Sequence, residues 1–248
     1  MTELLKNSPE TSWPQKHFFL LAEHFDSAKI LFKGKGFFRK PLEYVRGGVL
    51  RLKHEDIFKD LPTLGTERLI LRKMTPDDAE DVFAYASEPD VAKFVPWEVH
   101  RSLEDSRRFV DYMLKLYEAG KPAPWAIEWK ENGKMIGTID YVAWYPGHFR
   151  AEIGFILSKA YWGKGIAPEA ARKVMEFGFE RMGLNRIEAE CMAENVQSQR
   201  ALQKLGMRLE GISRQKYFIK GKFRDMALYS ILKQEFEREA GKRPGARP

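Results

Sequence analysis

The sequence predicts a mixed α/β fold rather than a doubly wound one, on three observations. Segments with helical spacing of apolar residues alternate with segments of strand character. An antiparallel meander occupies the middle of the chain, and one strand runs through a glycine-rich loop directly into a helix. The element order reads βααβββαβαββ, with no internal repeat.

The first strand, residues 68 to 74 (RLILRKM), alternates like a half-buried strand. Thr75 then opens a helix, with Pro76 at its first position and Asp78 placed for a capping box; Val82, Phe83 and Ala86 are expected to face the core. A second helix starts at Ser102, carries Phe109, Val110, Met113 and Tyr117 at helical spacing, and stops at Gly120. Strands follow at 124 to 129 and 134 to 143. Asn132-Gly133 between them is a hairpin signal, and a third strand runs from Arg150 to Leu157. The loop Tyr161 to Ala167 leads into a helix that packs through Ala170, Ala171, Val174, Phe177 and Gly178 and closes at Gly183. Arg186 to Met192 reads as a strand and Asn195 to Leu205 as a short helix ended by Gly206. Two more strands fall at 207 to 217 and 223 to 232. Residues 1 to 60 carry weak periodicity and glycine clusters and receive no fold. They form an amino-terminal extension to a domain at 61 to 236, with a basic tail at 237 to 248.

Composition narrows the function classes. A chain of 248 residues with 44% hydrophobic and 31% charged residues is ordinary for a globular protein. No stretch approaches the ~20 apolar residues that span a bilayer, and the start lacks a secretory pattern, so a cytoplasmic protein is expected. The net charge of +7 is spread out and marks no nucleic-acid footprint, although it favours anionic ligands. The single cysteine, Cys191, excludes an intrachain disulfide and a Cys-rich zinc site; it lies in an apolar strand pattern and is read as core. No metal site is expected. His100 and His148 flank aromatic loops, where most histidines are solvated.

Three segments carry candidate chemistry. Gly163 and Gly165 let consecutive backbone N–H groups converge on an anion ahead of a helix N-terminus, which suits a pyrophosphate; Lys164 adds a charge or points to water. Gly154 interrupts the preceding strand, Ala151 to Leu157, as a glycine does at a bulge, at a close backbone approach, or for packing alone. Exposed main-chain groups there could pair with a ligand's amides as an added strand would. The third segment, Asn195-x-x-Ser198-x-x-x-Leu202-x-Lys204-x-Gly206, reads on its own as a helix with an N-cap and a C-cap.

Together, the interrupted strand, the Gly-x-Gly loop and the Asn195 segment resemble the GNAT N-acetyltransferases. Thr66 to Arg72, Ala151 to Gly154, Trp162 to Ala167 and Leu209 to Gly211 are similar to the branch that acetylates ribosomal-protein N-termini, the RimJ/RimL group. The resemblance implies a central twisted, mostly antiparallel sheet with a splayed strand pair and flanking helices, and acetyl-coenzyme A as co-substrate. It implies pyrophosphate contacts from Gly163, Lys164, Gly165, Ile166 and Ala167, with Trp162 standing where the family pattern has Gln or Arg. It also implies pantetheine contacts from the backbone of Phe155, Ile156 and Leu157, with Asn195 nearby.

The implied reaction is direct attack of a neutral amine on the acetyl thioester. Ser198 falls where this branch places the group that meets the departing sulfur; as a plain structural residue it belongs to a first helical turn. Glu152 is the candidate acceptor of the amine proton, or else a surface carboxylate paired with Arg150. An α-amino group of pKa near ~8 is roughly 10% neutral at pH 7, whereas a lysine near ~10.4 is well under ~0.1% neutral, which favours a protein N-terminus as the acceptor amine. Polyamines and aminoglycosides stay open as acceptors, with Glu98, Glu104 and Asp140 available to line a cationic site. So does a non-catalytic acyl-coenzyme A binding module. Oligomeric state is left open, a homodimer included.

Overall fold

The computed structural model describes residues 54–241. The amino-terminal segment up to residue 53 and the last seven residues of the basic tail lie outside them.

An eight-stranded sheet organises the chain. Its strands are β1 (Leu64–Gly65), β2 (Leu69–Arg72), β3 (Trp125–Trp129), β4 (Lys134–Tyr145), β5 (Arg150–Leu157), β6 (Arg186–Met192), β7 (Arg208–Ile219) and β8 (Lys222–Leu232). They lie in the order β1-β2-β3-β4-β5-β6-β8-β7, and only the β5–β6 pair is parallel. Helices α2 (Ala79–Ala86), α3 (Pro89–Ala92) and α4 (Leu103–Glu118) fill the long connection from β2 to β3, α5 (Ile166–Glu180) links β5 to β6, and α6 (Val196–Lys204) links β6 to β7. The short α1 (His54–Lys59) precedes the sheet and α7 (Lys233–Gly241) follows it.

Local chemistry accounts for most element limits. Asp78 accepts the Thr75 N–H at 2.7 Å, so the predicted capping box forms, although the first turn it caps is a 3-10 turn at Pro76–Asp78. A second box at Ser102 and Asp105 starts α4. Val82 and Ala86 of α2 are buried as expected, but Phe83 is only partly so, and Tyr85 takes the core position instead. The Asn-Gly pair does not make a two-residue turn: residues 130 to 133 connect β3 to β4, and among them only Gly133 has a positive φ, +70°. The sheet's α5 face is sealed by Tyr141 of β4, whose hydroxyl donates to Val174 O at 2.6 Å in the middle of α5.

Two boundaries differ from the expected ones. Ile57 and Phe58 of α1 are each 1% exposed, so the core recruits side chains from before residue 61. At the other end α7 continues to Gly241 and buries Phe236 against Phe179, so the expected tail begins inside a helix.

The tightest approach in the sheet lies where β4 meets the end of β5. A Cβ on Gly137 would stand 2.1 Å from Ile156 O, a backbone atom that no side-chain rotation can clear. Gly137→Ala should therefore separate the two strands and cost about 3 kcal/mol or more, toward the upper range for overpacking. Urea unfolding checks this, and a loss under about 0.5 kcal/mol, the scale of a surface substitution, would contradict it.

Candidate functional site

The site begins at a fork between two parallel strands. β5 and β6 pair only at Arg150 with Arg186, Ala151 with Ile187, and Glu152 with Glu188. Beyond that rung β5 stays paired with β4 as far as Leu157, while β6 stays paired with β8 as far as Met192. The facing edges of Ile153 to Leu157 and Ala189 to Met192 thus part from each other. A β-bulge in β4 between Tyr141 and Ala143 lies opposite Ile153 and Glu152, at the level where the fork opens. Bulges bend the strand that carries them and increase the local twist, and this one sits at the level of the fork. Gly154, expected to interrupt its strand, does not: β5 is continuous, and the irregularity sits at Val142 across the ladder.

Past the end of β5 comes the glycine loop. Gly163 and Gly165 adopt φ of +76° and +73°, the left-handed region that glycine enters without strain, and Gly165 caps α5. At the start of α5 Pro168 has no N–H and the Glu169 N–H bonds Gly165 O at 3.2 Å, which leaves the N–H groups of Ile166 and Ala167, with the helix dipole behind them, suited to an anion. The loop is tied down on both sides. The Trp162 indole N–H donates to Leu157 O at 2.7 Å, so this residue braces the loop against β5. On the other side Glu169, in the first turn of α5, accepts from the Thr66 hydroxyl at 2.6 Å, from Arg68 N at 3.1 Å and from Arg68 Nε at 2.7 Å. Arg68 also donates to Lys164 O at 3.1 Å. Burial raises the Glu169 carboxyl, but these hydrogen bonds and the adjacent guanidinium outweigh it and hold the group below its ordinary value. Gly163 and Lys164 are exposed, Ile166 is buried, and Ala167 is partly buried.

Across the opening, Asn195 caps α6 by accepting the Ser198 N–H at 3.1 Å. Asn195, Val196 and Gln197 line a cavity of about 430 Å³ together with Trp162, Lys159 and Phe94, which brings two of the expected cofactor residues, Trp162 and Asn195, to one hollow. Ser198 lies against Cys191, on the part of β6 that has left β5. Burial pushes the Cys191 thiol up, and a hydrogen bond with Ser198 offsets this only partly, as suits a core thiol.

Glu152 occupies the last rung before the fork. Arg150 does not pair with it: its guanidinium bonds Glu188 at 2.5 Å and lies over the Tyr145 ring at 3.8 Å. Burial first, and then the charges of Glu190, Glu188 and Asp140, push the Glu152 carboxyl up to about 7, against the pull of Lys216. Asp140, on β4, is likewise pushed up to about 7 by burial. Glu98 and Glu104 stay exposed and outside this group. His100 bonds the Ser106 hydroxyl at 2.8 Å between Trp97 and Phe109, with burial lowering its pKa, while His148 is exposed. Among the described residues no group of His, Cys, Asp and Glu is arranged to hold a metal ion, and no helix is long and apolar enough to cross a membrane.

A forked parallel pair that leads through a glycine loop into a helix N-terminus agrees with the family match: the family model for the acetyltransferase (GNAT) domain covers residues 68–208. The chain belongs to the GNAT acetyltransferase family. YoaA of Bacillus subtilis (strain 168), described as an uncharacterized N-acetyltransferase, is 37% identical over 172 residues, 69% of this chain and 97% of its own. Over shorter stretches, a proposed ribosomal N-acetyltransferase of the same strain, YdaF, is 36% identical, covering 44% of this chain and 59% of its own. The spermidine N(1)-acetyltransferase of Escherichia coli (strain K12) is 32% identical, covering 46% and 61%. Among solved structures, a GNAT family acetyltransferase from Bacillus anthracis superposes with a TM-score of 0.63 at 32% identity, covering 70% of this chain and 99% of that one.

As a GNAT enzyme the protein is an acetyl-coenzyme A dependent N-acetyltransferase, and the fork supplies the kind of surface that co-substrate needs. Unpaired strand edge can take up an extended chain bearing amides, and bare N–H groups at a helix start can take up a diphosphate. Glu169→Gln tests the clamp that holds this loop. Its removal should raise the acetyl-coenzyme A Kd about tenfold, the worth of one charge-assisted contact of ~1.4 kcal/mol. Because the Glu169 carboxyl is held below its ordinary value, the clamp is intact at neutral pH and is lost as pH falls through the folded value. Titration calorimetry that gives wild-type affinity for the variant would remove the clamp from the binding apparatus.

Proposed function

We propose that the protein moves the acetyl group of acetyl-coenzyme A to the α-amino group of a protein N-terminus by direct attack. Glu152 accepts the amine proton and Ser198 hydrogen-bonds the departing sulfur. The observation that carries this reading is the position of Glu152 at the apex of the fork, on the last rung before β5 and β6 part, with its carboxyl pushed up to about 7. A base needs to be unprotonated yet strong enough to take a proton near neutral pH, and burial among acidic neighbours puts Glu152 in that range. The proposed acetyl-coenzyme A contacts are the backbone of Phe155, Ile156 and Leu157, the loop from Gly163 to Ala167, and Asn195; Trp162 contributes by bracing. The unit that does this work runs from α1 to α7. YdaF supports a ribosomal acceptor.

A second reading, acetylation of a small polyamine, is supported by the acidic group of Asp140, Glu152 and Glu190 and by the spermidine-specific relative. A thiol-release screen with alanine-initiated peptides, spermidine and an aminoglycoside separates the two readings: the N-terminal reading expects the peptides to give the highest kcat/KM. Spermidine exceeding them tenfold would transfer the assignment to polyamines.

Two substitutions test the roles. Glu152→Gln should lower kcat by about 100-fold, within the span of general base catalysis, and remove the rise in rate that the wild type shows as pH increases through about 7. The rise set by the amine's own deprotonation near ~8 should persist. Ser198→Ala should slow turnover about tenfold or more while acetyl-coenzyme A affinity stays within about twofold. A pH profile unchanged in Glu152→Gln, or parallel losses of rate and affinity in Ser198→Ala, would remove the residue concerned from the mechanism.

A further inference from the structure

Glu152 is not the only carboxyl at the fork. Asp140 of β4 lies directly across from Gly154 of β5. Cross-strand partners project to one face of a sheet, as do residues two apart along a strand, so Asp140 and Glu152 share the face turned away from α5. Tyr141, next along β4, points the other way and bonds Val174 of α5.

Gly154 makes room for that carboxyl. A Cβ there would stand 2.9 Å from Val142 Cγ1 and 3.3 Å from Asp140 Oδ1. Gly154 is not among the residues with positive φ, so its own backbone does not call for glycine. What calls for it is the Asp140 carboxyl and the Val142 side chain lying over β5, beside the unpaired strand edge.

Asp140 is also uncommitted. The neighbouring acids have partners: Glu188 is bonded by Arg150 and Arg186, and Glu190 by Lys216. Asp140 and Glu152 have no ion-pair partner among the described residues. Asp140 acts on Glu152 of β5 and on Tyr117 of α4, whose hydroxyl is already spent on Pro124 O, while Glu152 in turn feels Glu188 and Glu190 of β6 and Lys216 of β7. Burial pushes Asp140 up to about 7, yet the residue keeps some solvent contact, the combination expected of a cleft-lining group. Burying two carboxyls on one face with neither in an ion pair is costly, and an arriving ammonium group relieves that cost.

We propose that Asp140 is a substrate-contacting residue that binds the ammonium group of the acceptor, so that the incoming cation is held between Asp140 and Glu152. This inference rests on the acetyl-transfer reading and adds the recognition element that reading lacks. The proton balance assigns the two carboxyls different duties. The ammonium gives one proton to Glu152 and attacks, the N–C bond forms as the C–S bond breaks, a second nitrogen proton ends on the thiol, and Glu152 returns its own to solvent. Once the cation is bound Asp140 stays ionised and gives up no proton, so its loss should appear in the acceptor's KM rather than in kcat.

Asp140→Asn keeps the shape and removes the charge. With the best acceptor from the screen, KM should rise about tenfold to 100-fold, as for a lost hydrogen bond to a charged group, while kcat stays within about threefold. The acetyl-coenzyme A Kd should not move by more than about twofold. An unchanged KM, or a fall in acetyl-coenzyme A affinity matching the loss of turnover, would overturn the role. A measurement on the wild type covers a variant that does not fold: tetramethylammonium should compete with the amine, and tert-butanol, its neutral counterpart in shape, should not. Equal inhibition by the two overturns the cation site. Absence of any amine-dependent thiol release by the wild type would overturn the acetyl-transfer reading, and this inference with it.

Discussion

One unpaired length of backbone governs this molecule: the edge of β5 from Ile153 to Leu157 after it leaves β6. Main-chain N–H and C=O groups demand partners, and a strand edge left open inside a sheet is normally a cost. The cost is contained here because each parted strand keeps its other neighbour, β4 for β5 and β8 for β6, along its whole length. Neither arm of the fork can swing freely. The opening is therefore a fixed shape, and an extended ligand that enters it completes a sheet already ordered on both sides, with little conformational entropy left to lose.

An anion at the α5 end would meet an electrostatic problem that the fold solves locally. Glu169 sits in the first turn, where a carboxylate is favourable to the helix dipole but would repel a diphosphate. Its two oxygens are instead consumed by Thr66 and Arg68, and the Arg68 guanidinium supplies the compensating charge. The same guanidinium reaches Lys164 O, so one side chain from the edge of β2 neutralises the helix start and fixes the loop ahead of it. The Trp162 indole fixes the loop from the other side, through Leu157 O. A tryptophan in place of a polar side chain at the head of the loop thus has a bracing function that needs only its single N–H.

Features set by local chemistry were legible in the sequence. The capping box at Thr75, the helix start at Ser102, the limits of β5 and β6 and the glycine loop into α5 all follow from residues within a few positions of each other. Features set by pairing were not. Glu169 and Arg68 are 101 residues apart, and nothing near either one names the other. Gly154 signals an irregularity, but the bulge lies on the opposite strand, because a glycine tells only that something comes close and not which strand yields. In the sequence Asp140 is one of three acids available to a cationic site, and only its register opposite Gly154 separates it from Glu98 and Glu104, which stay exposed. Phe83 yields its core position to Tyr85 because Ala79, Val82, Tyr85 and Ala86 already share one face at helical spacing, and Phe83, one residue past Val82, falls to the side of it.

The raised carboxyls bear on the choice of acceptor amine. A base of pKa about 7 takes a proton from an α-amino group of pKa near ~8 at a deficit of about one unit, ~1.4 kcal/mol. From a lysine or an aliphatic polyamine near ~10.4 the deficit is over three units, ~4.6 kcal/mol, unless the site first lowers the amine's own pKa. A pocket that holds an ammonium between two carboxylates works in the opposite direction, because it stabilises the charged form. The arrangement proposed to recognise the cation would therefore make deprotonation harder, and an amine of low intrinsic pKa would bear that penalty best. Tight cation recognition and facile proton removal are both satisfied most readily by an N-terminal α-amine, and a polyamine acceptor would require a desolvating closure over the site to make up the difference.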